Sequence, residues 1–439
     1  MKKFQANRWW ANRSWGQALL ATVGWLALAG LVQGQEALRF SMAGDMAAAT
    51  QQQANTSLGY YNLMLGPTTW RFASGLGMEY NDNVYLQENG EGDFIIRPTL
   101  NTMMHWPVSL KNSLDLSINA GYSQYLQHSD LSQFFINPGS GLSFDIYAGD
   151  FKINLHDRVA ITEYGYETPG VSGNNGNLTR LENTVGTSGL WDLNKASVNV
   201  GYDHADYISL ASGSQNELPD ASSENVFVNG GIRVRPELML GVEAGGTIIE
   251  YSQTAAANTL ASPNAVQANA GVFGTAKISD NLDVRLDGGY TEYTPDNTSP
   301  HLLTSDTSGF YFSLSLTHRL NRFLSYALTA GRSTDLAAYG QAQTYYYVRL
   351  NPTWQLFEKY SINTSISWQD GTYIYGSTAF GGEDYQQIRL GASVSRALTK
   401  KLSATVAYTF VQETSNQSHY QTGLDYTENI VDLILSYQF

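Results

Sequence analysis

From Thr69 onward the chain keeps a period of two. In Leu114-Asp115-Leu116-Ser117-Ile118-Asn119-Ala120-Gly121-Tyr122 every second residue is apolar and those between are small or polar. An extended segment with that pattern turns one face to grease and the other to water. The pattern recurs in 196–202, 310–316, 360–368 and 402–408. About eighteen such segments of roughly ten to fourteen residues follow one another, the length a tilted strand needs to cross a bilayer.

The connections alternate as well. Short turns at Ala148-Gly149-Asp150, Asp192-Leu193-Asn194-Lys195, Arg235-Pro236-Glu237, Ser279-Asp280-Asn281, Leu320-Asn321-Arg322, Phe357-Glu358-Lys359 and Leu398-Thr399-Lys400 are interleaved with longer polar loops, such as 81–92, 165–178, 209–221 and 371–382. Short turns at one end and long loops at the other are the habit of outer-membrane barrels, and a soluble sandwich has no reason to adopt it. Strands in hydrocarbon must pair every ladder group, so the sheet has to close. The expected fold is therefore all-β: a transmembrane antiparallel β-barrel of about 18 strands, with 16 as the alternative, whose first strand near Trp70 to Tyr80 pairs with its last. An even strand number puts both termini on the periplasmic side of a bacterial outer membrane.

The N-terminus fits that destination. Lys2, Lys3, Arg8 and Arg13 precede an apolar run from Ala18 to Val32 and small residues at a cleavage position, which reads as a signal peptide over 1–34. Residues 35–66 alternate poorly and read as a short periplasmic lead-in, with a helix expected over Asp45 to Gln53; 67–439 form the barrel. The final strand ends at Tyr437 and Phe439, with apolar residues at every second place, the barrel-assembly signal of chains handled by the outer-membrane insertion machinery. That machinery, periplasmic chaperones, outer-membrane lipid and lipopolysaccharide are the partners this architecture implies.

Charge narrows the partners further. Four of the 25 basic residues and none of the 39 acidic ones lie in the signal, leaving the remainder at −18. Such a balance argues against nucleic acid. The absence of cysteine removes disulfides and thiolate metal sites and suits passage through an oxidising periplasm.

If the apolar parity faces lipid, the opposite parity assigns Arg71, Arg97, Arg158, Arg233, Arg285, Arg319, Arg349 and Arg389 to the lumen. Glu79, Asp115, Asp203, Glu243, Asp283 and Asp287 share it, and Arg285 sits between Asp283 and Asp287. The candidate pore lining is this set of arginines with Asp283 and Asp287. The other inward positions are rich in Gly, Ser, Asn and Thr, too small to fill a barrel of this strand number, so a water-filled pore is expected. Arginines there favour anionic solutes, uronic-acid polysaccharides among them; paired with the carboxylates, they would only hold the barrel's shape. Outward parity goes to Trp70, Trp354, Trp368, Tyr202, Tyr290, Tyr326, Tyr346, Tyr408, Phe410 and Tyr437, as interfacial girdles require.

Around the first loop stand Gly75-Leu-Gly-Met-Glu-Tyr-Asn-Asp-Asn-Val-Tyr-Leu86 and then Asp93-Phe-Ile-Ile-Arg-Pro-Thr-Leu100. This stretch resembles the opening hairpin of the beta-barrel porin 2 family of Gram-negative outer membranes, often encoded beside exopolysaccharide clusters. The resemblance implies location and barrel more than cargo.

Enzymatic signatures are missing: no Gly-x-Ser-x-Gly elbow, no His-Glu-x-x-His, no phosphate-binding loop before a helix. Adjacent His128-Ser129-Asp130 point apart along the chain and form no relay. Asn81-Asp82-Asn83 is a weak calcium candidate, lacking the ligand spacing of an EF-hand, and such loop tips usually satisfy their own backbone. The reading is a non-enzymatic, cofactor-free, porin-like channel for passive passage of polar or anionic solutes, extending to exopolysaccharide export. The alternative is a non-conducting barrel that scaffolds a surface-polysaccharide assembly complex.

Overall fold

The computed structural model describes residues 61–163, 179–210, 220–252, 264–296, 306–336, 342–356, 360–374, 383–416 and 425–439. The expected signal peptide over 1–34 and the expected helix over Asp45 to Gln53 lie outside them.

A three-residue strand β1 (Leu63–Leu65) precedes eighteen long ones: β2 (Thr68–Asn81), β3 (Asp93–Pro107), β4 (Ser113–Tyr125), β5 (Gln133–Ala148), β6 (Phe151–Glu163), β7 (Thr179–Asp192), β8 (Ala196–Ser209), β9 (Ala221–Arg235), β10 (Leu238–Tyr251), β11 (Ala265–Ser279), β12 (Leu282–Pro295), β13 (Thr307–Arg319), β14 (Leu324–Leu336), β15 (Ala342–Leu356), β16 (Tyr360–Ile374), β17 (Glu383–Ala397), β18 (Leu402–Ser415) and β19 (Tyr426–Gln438). Each pairs antiparallel with the next, and β19 returns to β2 from Ile430↔Asn81 to Gln438↔Ala73. The result is a closed eighteen-strand barrel without a free edge, and β1 only extends the entry to β2. No helix among the described residues is long and apolar enough to cross a membrane; the strands do so instead.

At about 3.3 Å per residue, strands of 13 to 16 residues are longer than an apolar belt of roughly 25 Å, so they cross it tilted and protrude at the ends. The alternation turns burial inside out relative to a soluble protein. On β10, outward Leu240, Val242 and Ile248 are 48%, 62% and 49% exposed, while inward Glu243 and Thr247 are 5% and 4% exposed. Only a hydrocarbon surround makes a face of that kind stable.

Local chemistry shapes the ladders. Gly149 and Asn194 adopt positive φ in the tight turns β5–β6 and β7–β8, and Asp192 Oδ1 accepts Asn194 N at 2.9 Å. In β5 the Asn137-Pro138-Gly139 stretch breaks register with both neighbours, because Pro138 has no N–H to give and Gly139 turns to φ 89°. Ser140 mends the gap: its hydroxyl donates to Asn137 O at 2.8 Å and accepts Asn119 N at 3.0 Å.

Candidate functional site

The inner wall changes character with depth. In its outer half it is closely packed: Tyr373 and Tyr385 are 2% exposed and stacked with centroids 4.7 Å apart, Glu413 is 1% exposed and Val411 is fully buried. Gln387 Nε2 donates to Glu413 at 2.9 Å and Gln369 Nε2 to the Tyr385 hydroxyl at 2.6 Å, so the amides and carboxylates of this layer are knitted together. Towards the short turns the wall opens. Thr317, Arg319, Asn351 and Gln355 are exposed, and Arg71, Asn101 and Asp115 are half-buried.

The candidate lining residues all fall on this inner face, at different depths and with different partners. Arg97 makes an ion pair with Glu79 and its Nε donates to Ser123 at 3.1 Å. Arg158 is buried beside the His156–Asp203 couple, whose atoms approach to 2.6 Å. Arg285 is held by Asp287 at 2.5 Å and Glu243 at 3.4 Å and lies over the Phe273 ring. Ser313 donates to the second oxygen of Asp287, and Tyr311 to Glu243, both at 2.8 Å. Asp283 faces Lys277 across the ladder rather than Arg285. Arg233 caps the β7–β8 turn, donating to Asn194 O at 2.5 Å, 3.7 Å from Asp192. Arg349 packs on Tyr347, and Arg389 faces Ser367 and Val411. Arg71 and Arg319 make no ion pair among the described residues, and both stand in the open half, seven strands apart round the circuit. At the C-terminus Tyr437 is on the outer face with Phe439 edge-on at 5.4 Å, and Phe439 N donates to Phe72 O.

Two layers of the wall escape sequence reasoning. One is the tyrosines of inward parity, Tyr207, Tyr311, Tyr345, Tyr373, Tyr385 and Tyr426, which occupy space that small neighbours seemed to leave open. Tyr311 shows how. Its hydroxyl passes Gly289 and Gly271 so closely that a Cβ on either would meet it within 2.5 Å. The expectation that small inward residues leave the lumen unfilled is corrected for the outer half, since glycine there is a seat for a ring from a nearby strand. The other is the buried Arg180–Glu182 pair at 2.5 Å, with Arg180 over the Tyr207 ring.

The first loop folds inward at the mouth. Leu86, at φ 52°, packs on lumenal Val411 and Tyr426. Asn81-Asp82-Asn83 anchors it: Asn81 donates to Glu428, Asn83 to Thr427 O and Gln87 O, and Asp82 accepts both Asn429 N and Asn429 Nδ2. On the loop's other flank His128 Nε2 meets Glu91 and Nδ1 meets Asp93, each at 3.1 Å, with Tyr85 edge-on to the ring. Burial lowers the His128 pKa, but the two carboxylates outweigh it, so the net direction is up. The Tyr85 hydroxyl is pushed up by burial and by Asp130, Glu91 and Asp93.

An apolar exterior, a closed ladder and a charged, partly open interior define a transmembrane β-barrel. No family model and no curated protein matches the chain. Among solved structures it is similar to OpdK of Pseudomonas aeruginosa with vanillate, at 10% identity and TM-score 0.47 over 84% of this chain and 98% of that one. It is similar also to OpdQ of Pseudomonas aeruginosa (13%, TM-score 0.45, 85% and 97%) and OccAB3 of Acinetobacter baumannii (10%, TM-score 0.46, 84% and 99%). At these identities no residue here inherits a role from them.

Proposed function

We propose that the chain is a passive outer-membrane channel, termini in the periplasm, whose inner half is a vestibule for small polar or anionic solutes. The observation that carries this is the contrast along the wall: packed tyrosines outside, and exposed polar positions with Arg71 and Arg319 inside. Cations without an ion pair on a wet wall attract anions, whereas the arginines tied to Glu79 or Asp287 are largely neutralised. The porin 2 resemblance attaches exopolysaccharide to this reading as one cargo.

The burial of Tyr373, Tyr385 and Val411 favours a second reading, a non-conducting barrel that scaffolds a surface assembly through its loops. Single-channel recording of the refolded chain in a planar bilayer, with the reversal potential in a salt gradient, separates the two. Anion-selective conductance supports the channel; silence from a barrel that is folded by heat-modifiable gel migration rejects it and leaves the scaffold.

A further inference from the structure

The two ends of the barrel carry opposite charge. The nine long connections, 82–92, 126–132, 164–178, 210–220, 252–264, 296–306, 337–341, 375–382 and 416–425, contain ten aspartates and glutamates and not one lysine or arginine. The eight short ones hold six lysines and arginines against four carboxylates. All six described lysines, Lys111, Lys152, Lys195, Lys277, Lys400 and Lys401, lie in or within three residues of a short turn.

The inner wall repeats the division. Among the described residues, within four positions of the short-turn end, inward cations outnumber inward carboxylates by seven to four, Lys152 and Lys277 joining the arginines there. Within four positions of the other end the order reverses, one to six: Arg180 stands against Glu79, Asp93, Glu182, Asp335, Glu413 and Glu428. Ion pairs with Arg97 and Arg180 neutralise Glu79 and Glu182. The loops above supply no lysine or arginine for the rest, and Glu88, Asp130, Asp296 and Asp306 are exposed on them.

Strands of 14 residues such as β2 set the two ends roughly 35 Å apart along a tilted wall, several times the Debye length of about 10 Å at 0.1 M salt. Each end therefore imposes its own fixed charge on the water beside it. A basic mouth gathers anions and an acidic mouth gathers cations. With the external side positive, anions enter through the basic mouth and cations through the acidic one, and both accumulate in the lumen. Under the opposite voltage each ion must enter through the mouth that repels it, and the lumen is depleted of both.

We propose that the lumen is an ionic rectifier, a reading that rests on the channel and orientation given above: under a voltage, anions pass outward and cations inward more readily than the reverse. Without a voltage a passive pore is equally permeable both ways, so the asymmetry belongs to ions driven by a field.

Current–voltage curves of the full chain in a planar bilayer test this. Leu110 is fully exposed in the β3–β4 turn and the chain has no cysteine, so Leu110→Cys, blocked by a bulky polyethylene glycol maleimide from one chamber only, identifies the short-turn side. In 0.1 M potassium chloride the current should be about twofold larger with the long-loop side positive, and the ratio should approach one at 1 M, where the Debye length is about 3 Å. Joint replacement Glu88→Gln, Asp130→Asn, Asp296→Asn and Asp306→Asn should bring the ratio towards one at 0.1 M while the folded gel band persists. So should Lys111→Gln, Lys195→Gln, Lys400→Gln and Lys401→Gln together. Conductance that is equal at both polarities, larger at the opposite one, or unmoved by both sets of replacements overturns the rectifier and leaves the channel standing; silence from the folded barrel rejects both.

Discussion

Asp82 and Asn429 lie 347 positions apart in sequence and are joined by two hydrogen bonds, both 2.7 Å long: the Asp82 carboxylate takes the backbone N–H of Asn429 on one oxygen and its side-chain amide on the other. The contact begins where the β19–β2 ladder stops at Ile430↔Asn81. It is the clasp on the one seam that joins the ends of the chain, and the Asp82 N–H returns the bond to Asn429 O. Removing the carboxylate by Asp82→Ala should cost about 2 kcal/mol, the scale of hydrogen bonds to a charged acceptor. The urea midpoint of the barrel in vesicles would report it, with Asp280→Ala in a short turn as the control. An unchanged midpoint would mean that the ladder closes the barrel unaided.

That clasp marks the limit of what alternation tells. Period two suffices to read the barrel class, a strand number of about eighteen with sixteen left open, and the return of the last strand to the Trp70–Tyr80 region, because hydrocarbon and ladder closure permit little else. The same pattern makes Asn81-Asp82-Asn83 a polar loop tip, since the partners at 427–429 come close only after all eighteen strands have closed. The filling of the lumen is hidden for a related reason. Gly271 and Gly289 look like empty positions along the chain, and only the register of β13 brings the Tyr311 hydroxyl over them. Parity says which face a residue takes, not which neighbour leans across it.

Arg71 and Arg319, which make no ion pair among the described residues, should set ion preference. Replacing Arg71 and Arg319 together by alanine is expected to lower the anion-to-cation permeability ratio roughly twofold, in a way that fades as salt screens the vestibule. Arg233→Ala, whose side chain is already bound to the β7–β8 turn, should change the ratio little. Reversal potentials in a salt gradient decide it. Equal effects from the double and the control would take the selectivity away from Arg71 and Arg319.

Glu243 holds three strands together, accepting Tyr311 from β13 and facing Arg285 of β12 from its own place on β10. It is 5% exposed, so Glu243→Ala leaves the half-buried Arg285 guanidinium with Asp287 and the Phe273 ring and removes the acceptor that takes the Tyr311 hydroxyl. The expected loss is about 3 kcal/mol. Glu243→Gln, which keeps an oxygen for Tyr311, should lose less. Unfolding midpoints for both variants that match wild type would show that the inner layer carries no stability of its own.

His128 makes the inward fold of the first loop sensitive to pH. Doubly protonated, the ring donates from both nitrogens, to Glu91 in that loop and to Asp93 at the start of β3. Because its folded pKa is raised above the ordinary 6.5, the stabilisation is fully present below about 6.5 and is lost as pH rises through the folded value. The amides of Val84 and Leu86, bonded to Glu91 O and Asn83 O, should accordingly exchange faster at pH 8 than at pH 5.5 after correction for intrinsic rates. His128→Gln should remove the difference, because a neutral amide cannot gain the second donor. If that variant keeps the full pH dependence, the latch is elsewhere, and the anchoring of Asn83 to Gln87 and Thr427 becomes the element that holds Leu86 against Val411 and Tyr426.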